Sequence, residues 1–307
     1  RRYAGRVKLL VISGASNVTG YVNPIYRLAH KAHEVGAQIV VDAAQLAPHR
    51  RIIMGRLDDP AHLDYVAISG HKLYAPFGTG VLVGRRDTFE SGDPDMVGGG
   101  AISLVTLDRV QWAPLPDKEE AGSPNVVGAI ALARALACLE DIGLDRIAEH
   151  EADLTAHALQ RLQAIDGLTL YGERDAACCP LRVGVISLTV RGVDDHKVAA
   201  ILSYEAGIGV RNGCFCAQPY LFSLLGLRRE QIAELEGAAA RGEYARFPGL
   251  VRLSFGCYNT RAEIDAAADA LEMVASGRSQ GRYVQGPDGR YQPEGLAPDY
   301  ATYFRMA

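Results

Sequence analysis

A lysine, an aspartate and a glutamine stand where chemistry would want them. Lys72 follows the apolar run Tyr65 to Ser69 in the segment Ser69-Gly70-His71-Lys72, and Gly78, Thr79 and Gly80 come soon after. Asp42 ends another apolar run, Ala37 to Val41, and Gln45 lies three residues on. A lysine amine forms a Schiff base with a carbonyl compound, and a carboxylate can keep a pyridine nitrogen protonated so that the ring accepts electrons. Gln45 is close enough to Asp42 to reach a ring oxygen, Ser69 and His71 flank the lysine as phosphate ligands, and the glycines permit close backbone approach. Pyridoxal phosphate requires such a set. Taken alone, the pattern fits a surface lysine in a glycine-rich loop and a helix-capping aspartate better.

Elements must hold these residues in place. Val7 to Ser13 is a short β-branched run, read as a buried strand. Asn23-Pro24 offers an N-cap and a proline at the first helical position. Ile25, Leu28, Ala29, Ala32 and Val35 then recur at helical spacing until Gly36. Ala37 to Val41, Tyr65 to Ser69 and Gly80 to Val83 read as further strands. Strands too apolar to alternate indicate a sheet covered on both faces, hence α/β and mainly parallel. Ligands of such sheets sit beyond the carboxyl ends of the strands, where Asp42 and Lys72 fall.

Asn125 to Gly143 and Asp145 to Ile165 read as long helices. Strands at Leu168 to Tyr171 and Val183 to Val190, a helix at Asp194 to Ala206 and a strand at Ile208 to Arg211 follow. Helices at Ala217 to Leu225 and Arg229 to Ala240, a strand at Val251 to Phe255 and a helix at Arg261 to Ser276 complete a smaller α+β domain. From Gly277 the chain turns to Gly, Pro, Gln and Tyr, read as an extended tail without its own core. The expected division is 1–141, 142–277 and 278–307.

With 307 residues, 48% hydrophobic and 22% charged, the chain can bury a sizeable core. A formal net charge of -4 argues against nucleic acid or an anionic membrane surface as partner. No apolar run is long enough to span a bilayer, and no signal peptide is visible. Six irregularly spaced cysteines do not form a secreted disulfide framework, so a cytoplasmic location is expected. Cys214-Phe215-Cys216 with Cys178-Cys179 lacks the paired spacing of structural zinc, and no metal site is expected. His30 and His33 read as a solvated helix face.

Ordered motifs carry a resemblance. Val40-Val41-Asp42-Ala43-Ala44-Gln45 and Ser69-Gly70-His71-Lys72-Leu73-Tyr74-Ala75-Pro76-Phe77-Gly78-Thr79-Gly80 resemble the cofactor core of the class V aminotransferase superfamily, fold-type I pyridoxal-phosphate enzymes. Ser16-Asn17-Val18-Thr19-Gly20, Gly98-Gly99-Gly100, Glu120-Ala121-Gly122-Ser123-Pro124-Asn125, Arg211 to Pro219 and Val251-Arg252-Leu253-Ser254 match in the same order. The resemblance is to the SufS-like cysteine desulfurase and selenocysteine lyase branch and runs over about residues 7 to 275. It implies that Lys72 carries the cofactor and moves protons at the substrate Cα. Asp42 then meets the pyridine nitrogen, Gln45 the ring hydroxyl, and Ser69 and His71 the phosphate. Ser123, where the family usually has threonine, would reach the phosphate of a neighbouring subunit's cofactor, implying a homodimer. Arg252 would hold the substrate carboxylate through a bidentate fork, with Asn17 helping there or at the ring. Cys216 falls at the catalytic cysteine, which attacks the sulfur or selenium of the amino-acid substrate and keeps it as a persulfide, releasing alanine; a protein that accepts the sulfur is a further expected partner.

The sequence departs from the family at Cys214-Phe215, where members often carry histidines. That removes a proton donor or acceptor beside the thiolate and leaves other class V chemistry open: an aminotransferase, an epimerase or a C–S lyase without a cysteine nucleophile. The chain begins Arg1-Arg2-Tyr3 without methionine and lacks the stretch that the family places before Asn17. We therefore expect the lysine- and cysteine-bearing part of a longer enzyme; a truncated, non-catalytic module is the alternative.

Overall fold

The computed structural model describes residue 3 and residues 5–243, 247–286 and 288–296. The chain divides into two units, residues 1–16 with 22–148, and residues 17–21 with 149–307.

In the first unit the β-branched runs form β1 (Leu9–Ser13), β2 (Gln38–Asp42) and β3 (Tyr65–Ser69), paired in parallel. β4 (Gly80–Gly84) closes antiparallel on β3, giving the order β1-β2-β3-β4 in a mainly parallel α/β sheet. Register sets Asp42 opposite both Ser13 and Ala67, so the parallel strands present their carboxyl ends at one end of the sheet. Cover is complete only in the middle. Ile39 and Val41 are fully buried, whereas Leu9 and Val11 on β1 and Val81, Leu82 and Val83 on β4 are exposed, because these are the outer strands.

α1 (Ile25–His33) packs Ile25, Ala29 and Ala32 inward, and the chain turns back at Gly36 with φ 71°. Asn23 does not cap it; the Asn23 amide donates instead to Ser13 O (2.7 Å), and Pro24 occupies the cap position. α2 (Arg86–Ser91) and a hairpin of β5 (Ile102–Val105) and β6 (Val110–Trp112) follow, elements too short to leave a periodic signal. α3 (Val126–Ile142) is capped by Asn125, whose Oδ1 accepts from Gly128 N at 3.0 Å. The division between the units falls within α4 (Leu144–Gln163).

The second unit is an antiparallel sheet in the order β7-β8-β10-β9, built from β7 (Leu168–Tyr171), β8 (Val185–Val190), β9 (Arg211–Gly213) and β10 (Leu250–Ser254). Its main core joins Leu159 of α4, Leu188 of β8, Leu202 of α5 (Asp195–Ala206) and Leu271 of α8 (Arg261–Ala275), all fully buried. Thr260 and Glu263 form a reciprocal cap at the start of α8, which the Thr-x-x-Glu spacing encodes. α6 (Gln218–Leu224) and α7 (Arg229–Ala240) lie between β9 and β10 in sequence. A second, smaller core joins Val18, Phe215, Leu221 and Leu250. Val18 reaches it from the short segment 17–21, which Ser187 Oγ fastens by donating to Val18 O.

Within the stretch expected to be an extended tail, β11 (Tyr283–Gln285) and β12 (Tyr291–Pro293) pair as a hairpin. Glu205 of α5 ties its approach down, accepting from Gln280 N, Gly281 N and Tyr283 OH. Residues 297–307 of that stretch lie outside the described residues. No helix among the described residues is long and apolar enough to cross a membrane.

Candidate active site

Lys72 sits half-buried on a single 3-10 turn, Gly70–Leu73, directly after β3. Gly70 N donates to Thr79 O (2.8 Å) and Ala75 N to Gly70 O (3.0 Å), folding the loop back on itself. A Cβ on Gly70 would lie 2.7 Å from Thr79 O, and one on Gly80 2.8 Å from Ile68 O, so this closure admits glycine alone at both places. Tyr74 and Phe77, neither of them glycine, are left-handed with φ 64° and 72°. Each costs about 1–2 kcal/mol, and both lie within five residues after the lysine.

Lys72 Nζ donates to Gln45 Oε1 at 3.0 Å, and Gln45 Nε2 lies 3.3 Å from His49 Nε2. Asp42 ends β2 with its side chain exposed, and Oδ1 accepts from Ala44 N of its own loop. Ser69 Oγ and His71 Nδ1 are 2.9 Å apart. Ser123 is exposed in the loop before α3, and Asn125 ties that loop to the lysine's by donating to Phe77 O at 2.6 Å. Lys72 and Gln45 are therefore in contact, as are Ser69 and His71, while the Asp42 carboxylate bonds within its own loop. The donor set fits pyridoxal phosphate in kind: an amine, an open carboxylate, an amide, and a hydroxyl–imidazole pair at strand carboxyl ends.

The remaining expected residues belong to the second unit. Arg252, on β10, lies across the ladder from Arg211 on β9. Its Nε donates to Ser254 Oγ (3.1 Å) and its Nη1 to Asn17 O (3.0 Å), and its guanidinium carbon stands 4.8 Å over the Phe215 ring. Burial and the Arg211 charge push the Arg252 pKa below the usual arginine value, though guanidinium stays charged throughout the physiological range. Among the described residues Arg252 has no carboxylate partner. A half-buried cation facing a like charge on the next strand is unfavourable without an anion between or beside them. The Asn17 amide donates to Phe215 O at 2.8 Å. Cys216 follows, exposed, with φ 58° beside 54° at Phe215, and Pro219 lies in the first turn of α6.

Some side-chain contacts, in and outside this site, left little trace in sequence. Phe215 reads as a hydrophobic neighbour of Cys216, yet it is buried beneath Arg252. His33, expected on a solvated face, stacks on His62 with centroids 4.2 Å apart, and both rings approach the fully buried Asp64, at 2.9 and 3.3 Å. Arg85 and Ile39 N complete the donors to that carboxylate.

Comparison with known proteins gives a consistent picture. The family described as Aminotransferase class-V matches residues 3–267. A probable cysteine desulfurase of Halalkalibacterium halodurans is 38% identical over 269 residues, covering 88% of this chain and 58% of that protein. A cysteine desulfurase of Haloferax volcanii is 35% identical over 267 residues, covering 87% and 56%. Among solved structures, an apo cysteine desulfurase from Thermococcus onnurineus NA1 superposes with a TM-score of 0.76 at 33% identity, over 90% of this chain and 62% of that one. The chain thus spans little more than half the length of the curated relatives it matches.

Proposed function

Because the chain belongs to the class-V aminotransferase family, whose members use pyridoxal phosphate, we propose that it forms the lysine-, arginine- and cysteine-bearing part of a cysteine desulfurase. The substrate is L-cysteine, the product L-alanine, and the sulfur stays as a persulfide on Cys216. The observation that carries this reading is Arg252: a half-buried guanidinium, pre-oriented by Asn17 O and Ser254 Oγ and lacking any carboxylate partner among the described residues. The α-carboxylate of an amino acid supplies the missing anion, and the cysteine desulfurase relatives point to which amino acid.

Lys72, Asp42, Gln45, Ser69 and His71 would hold the cofactor, and Ser123 would serve a second subunit's phosphate, making the working form a homodimer. When bound, pyridoxal phosphate supplies an electron sink for negative charge developing on the substrate carbons. Arg252 grips the α-carboxylate with two parallel N–H bonds, which fixes the rotation of the substrate about Cα. Lys72, as a neutral amine, takes the Cα proton and returns one when alanine forms. The Cys216 thiolate attacks the substrate Sγ; the S–S bond forms as the Cβ–Sγ bond breaks, and the released electron pair stays on the carbon side until protonation. The sulfur then passes to an acceptor protein. Six cysteines without disulfides accord with a reducing, cytoplasmic setting.

Full-length protein incubated with L-cysteine and a thiol reductant should yield alanine and sulfide in equal amounts. Cys216→Ala should cut turnover at least about a hundredfold, as loss of a nucleophile does. Lys72→Ala should lose the bound cofactor's visible absorption. Turnover undiminished in Cys216→Ala would move the assignment to class V chemistry without a cysteine nucleophile.

A further inference from the structure

Resting on the desulfurase reading, we propose that Phe215 is a positioning residue, whose buried ring fixes the plane of the Arg252 guanidinium while its carbonyl anchors the loop that presents Cys216. The ring is 5% exposed and packs among Val18, Leu221 and Leu250. Arg252 lies over its face at 4.8 Å, within the range of a cation–π contact, and the buried ring with the half-buried guanidinium makes that contact stronger than a fully exposed one.

The geometry leaves the arginine useful. Ser254 and Asn17 take one hydrogen each from Nε and Nη1. One Nη1 hydrogen and both Nη2 hydrogens remain for a carboxylate. With two bonds and a ring face fixing it, the fork is set before substrate arrives, which lowers the entropy lost on binding.

The same residue governs the thiol's loop. Phe215 and Cys216 are successive left-handed residues, φ 54° and 58°, a conformation that L side chains adopt only when their surroundings hold them there. Two holds act on Phe215: its ring in the core and the Asn17 amide on its carbonyl. Cys216 itself is exposed. Asn17, Phe215 and Arg252 thus form one connected group of bonds, so the carboxylate grip and the thiol share a mount. A phenyl ring moves no proton, so the role is one of position alone.

The test compares Phe215→Leu, Phe215→Tyr and Leu221→Val in the full-length holoprotein. Phe215→Leu keeps an apolar anchor but removes the ring face. It should raise KM for L-cysteine by about 3- to 30-fold, the worth of a buried cation–π contact, with kcat and the rate of Cys216 alkylation by iodoacetamide little changed. Phe215→Tyr should restore KM. Leu221→Val loosens the same core at a residue that makes none of Arg252's hydrogen-bond or ring contacts, and should lower Tm without moving KM. An unchanged KM in Phe215→Leu overturns the proposal, and so does an equal rise in Leu221→Val. Modification of Arg252 by phenylglyoxal, mapped by mass spectrometry, should be several-fold faster in Phe215→Leu. That readout needs no turnover: if wild type makes no alanine, the desulfurase reading falls and arginine reactivity alone decides for Phe215. Should Phe215→Leu not fold, Phe215→Met makes the same comparison.

Discussion

At the scale of single residues, Arg252, the proposed carboxylate grip, shows why charge is an incomplete description of a binding group. Its guanidinium is held at two nitrogens and one face, and only a planar fork can use all three supports and still offer parallel donors. Arg252→Lys keeps the charge and loses the fork. We expect KM for L-cysteine to rise on the order of tenfold or more, the value of a lost charge-assisted hydrogen bond, while urea unfolding changes little. Steady-state kinetics with a parallel urea titration checks both; an unaltered KM would place the carboxylate elsewhere.

At the scale of elements, α1 is fastened to the strands beneath it by the Asp64 cluster, and pH should loosen that fastening from both sides. Burial pulls the His33 pKa down, but the Asp64 and Pro60 acceptors outweigh it and leave it above the ordinary value. Burial likewise pushes Asp64 up, and the His33, Ile39 N–H and Arg85 donors outweigh that, leaving it low. A raised histidine stabilises fully below its unfolded pKa, about 6.5, and loses that contribution as pH climbs through the folded value. A depressed carboxylate stabilises above about 4 and fails as pH falls through its folded value. The cluster should therefore contribute most between these limits. Urea midpoints taken from pH 5 to pH 9 should fall for wild type and fall less for His33→Gln; parallel curves would refute the linkage.

This cluster also shows where sequence runs out. β3 and α7 fall at the residues expected because their signals are local: an unbroken apolar run, and a helical stretch bounded by turns. The proposed cofactor group rests on Ser69 to Lys72 and Asp42 to Gln45, which are short contiguous strings and so can be read locally. His33 and Asp64 are 31 residues apart and Asn17 and Arg252 235 apart, so no window reveals either pairing. β4 was expected as a strand, but its antiparallel direction is a property of the connection and not of Gly80 to Val83. β5 and β6 are simply too short for periodicity.

At the scale of the whole molecule, the second unit is finished by chain from both of its sequence ends. Glu205 holds the hairpin segment by accepting three hydrogen bonds from it, and Glu205→Gln should raise hydrogen exchange at Gln280 and Gly281 several-fold with little effect on β8. Equal protection in both proteins would show the carboxylate to be dispensable there. The segment 17–21 is the more consequential attachment, since it supplies Val18 to a core and Asn17 to Arg252. Those contacts bridge far more sequence than a helix or hairpin does, so their closure comes late and slowly in folding. A ribosome releases Asn17 long before Arg252 exists. Until β10 emerges, that early segment has no arginine to orient, and no piece cut at a single point can contain the arginine's support without also containing everything in between.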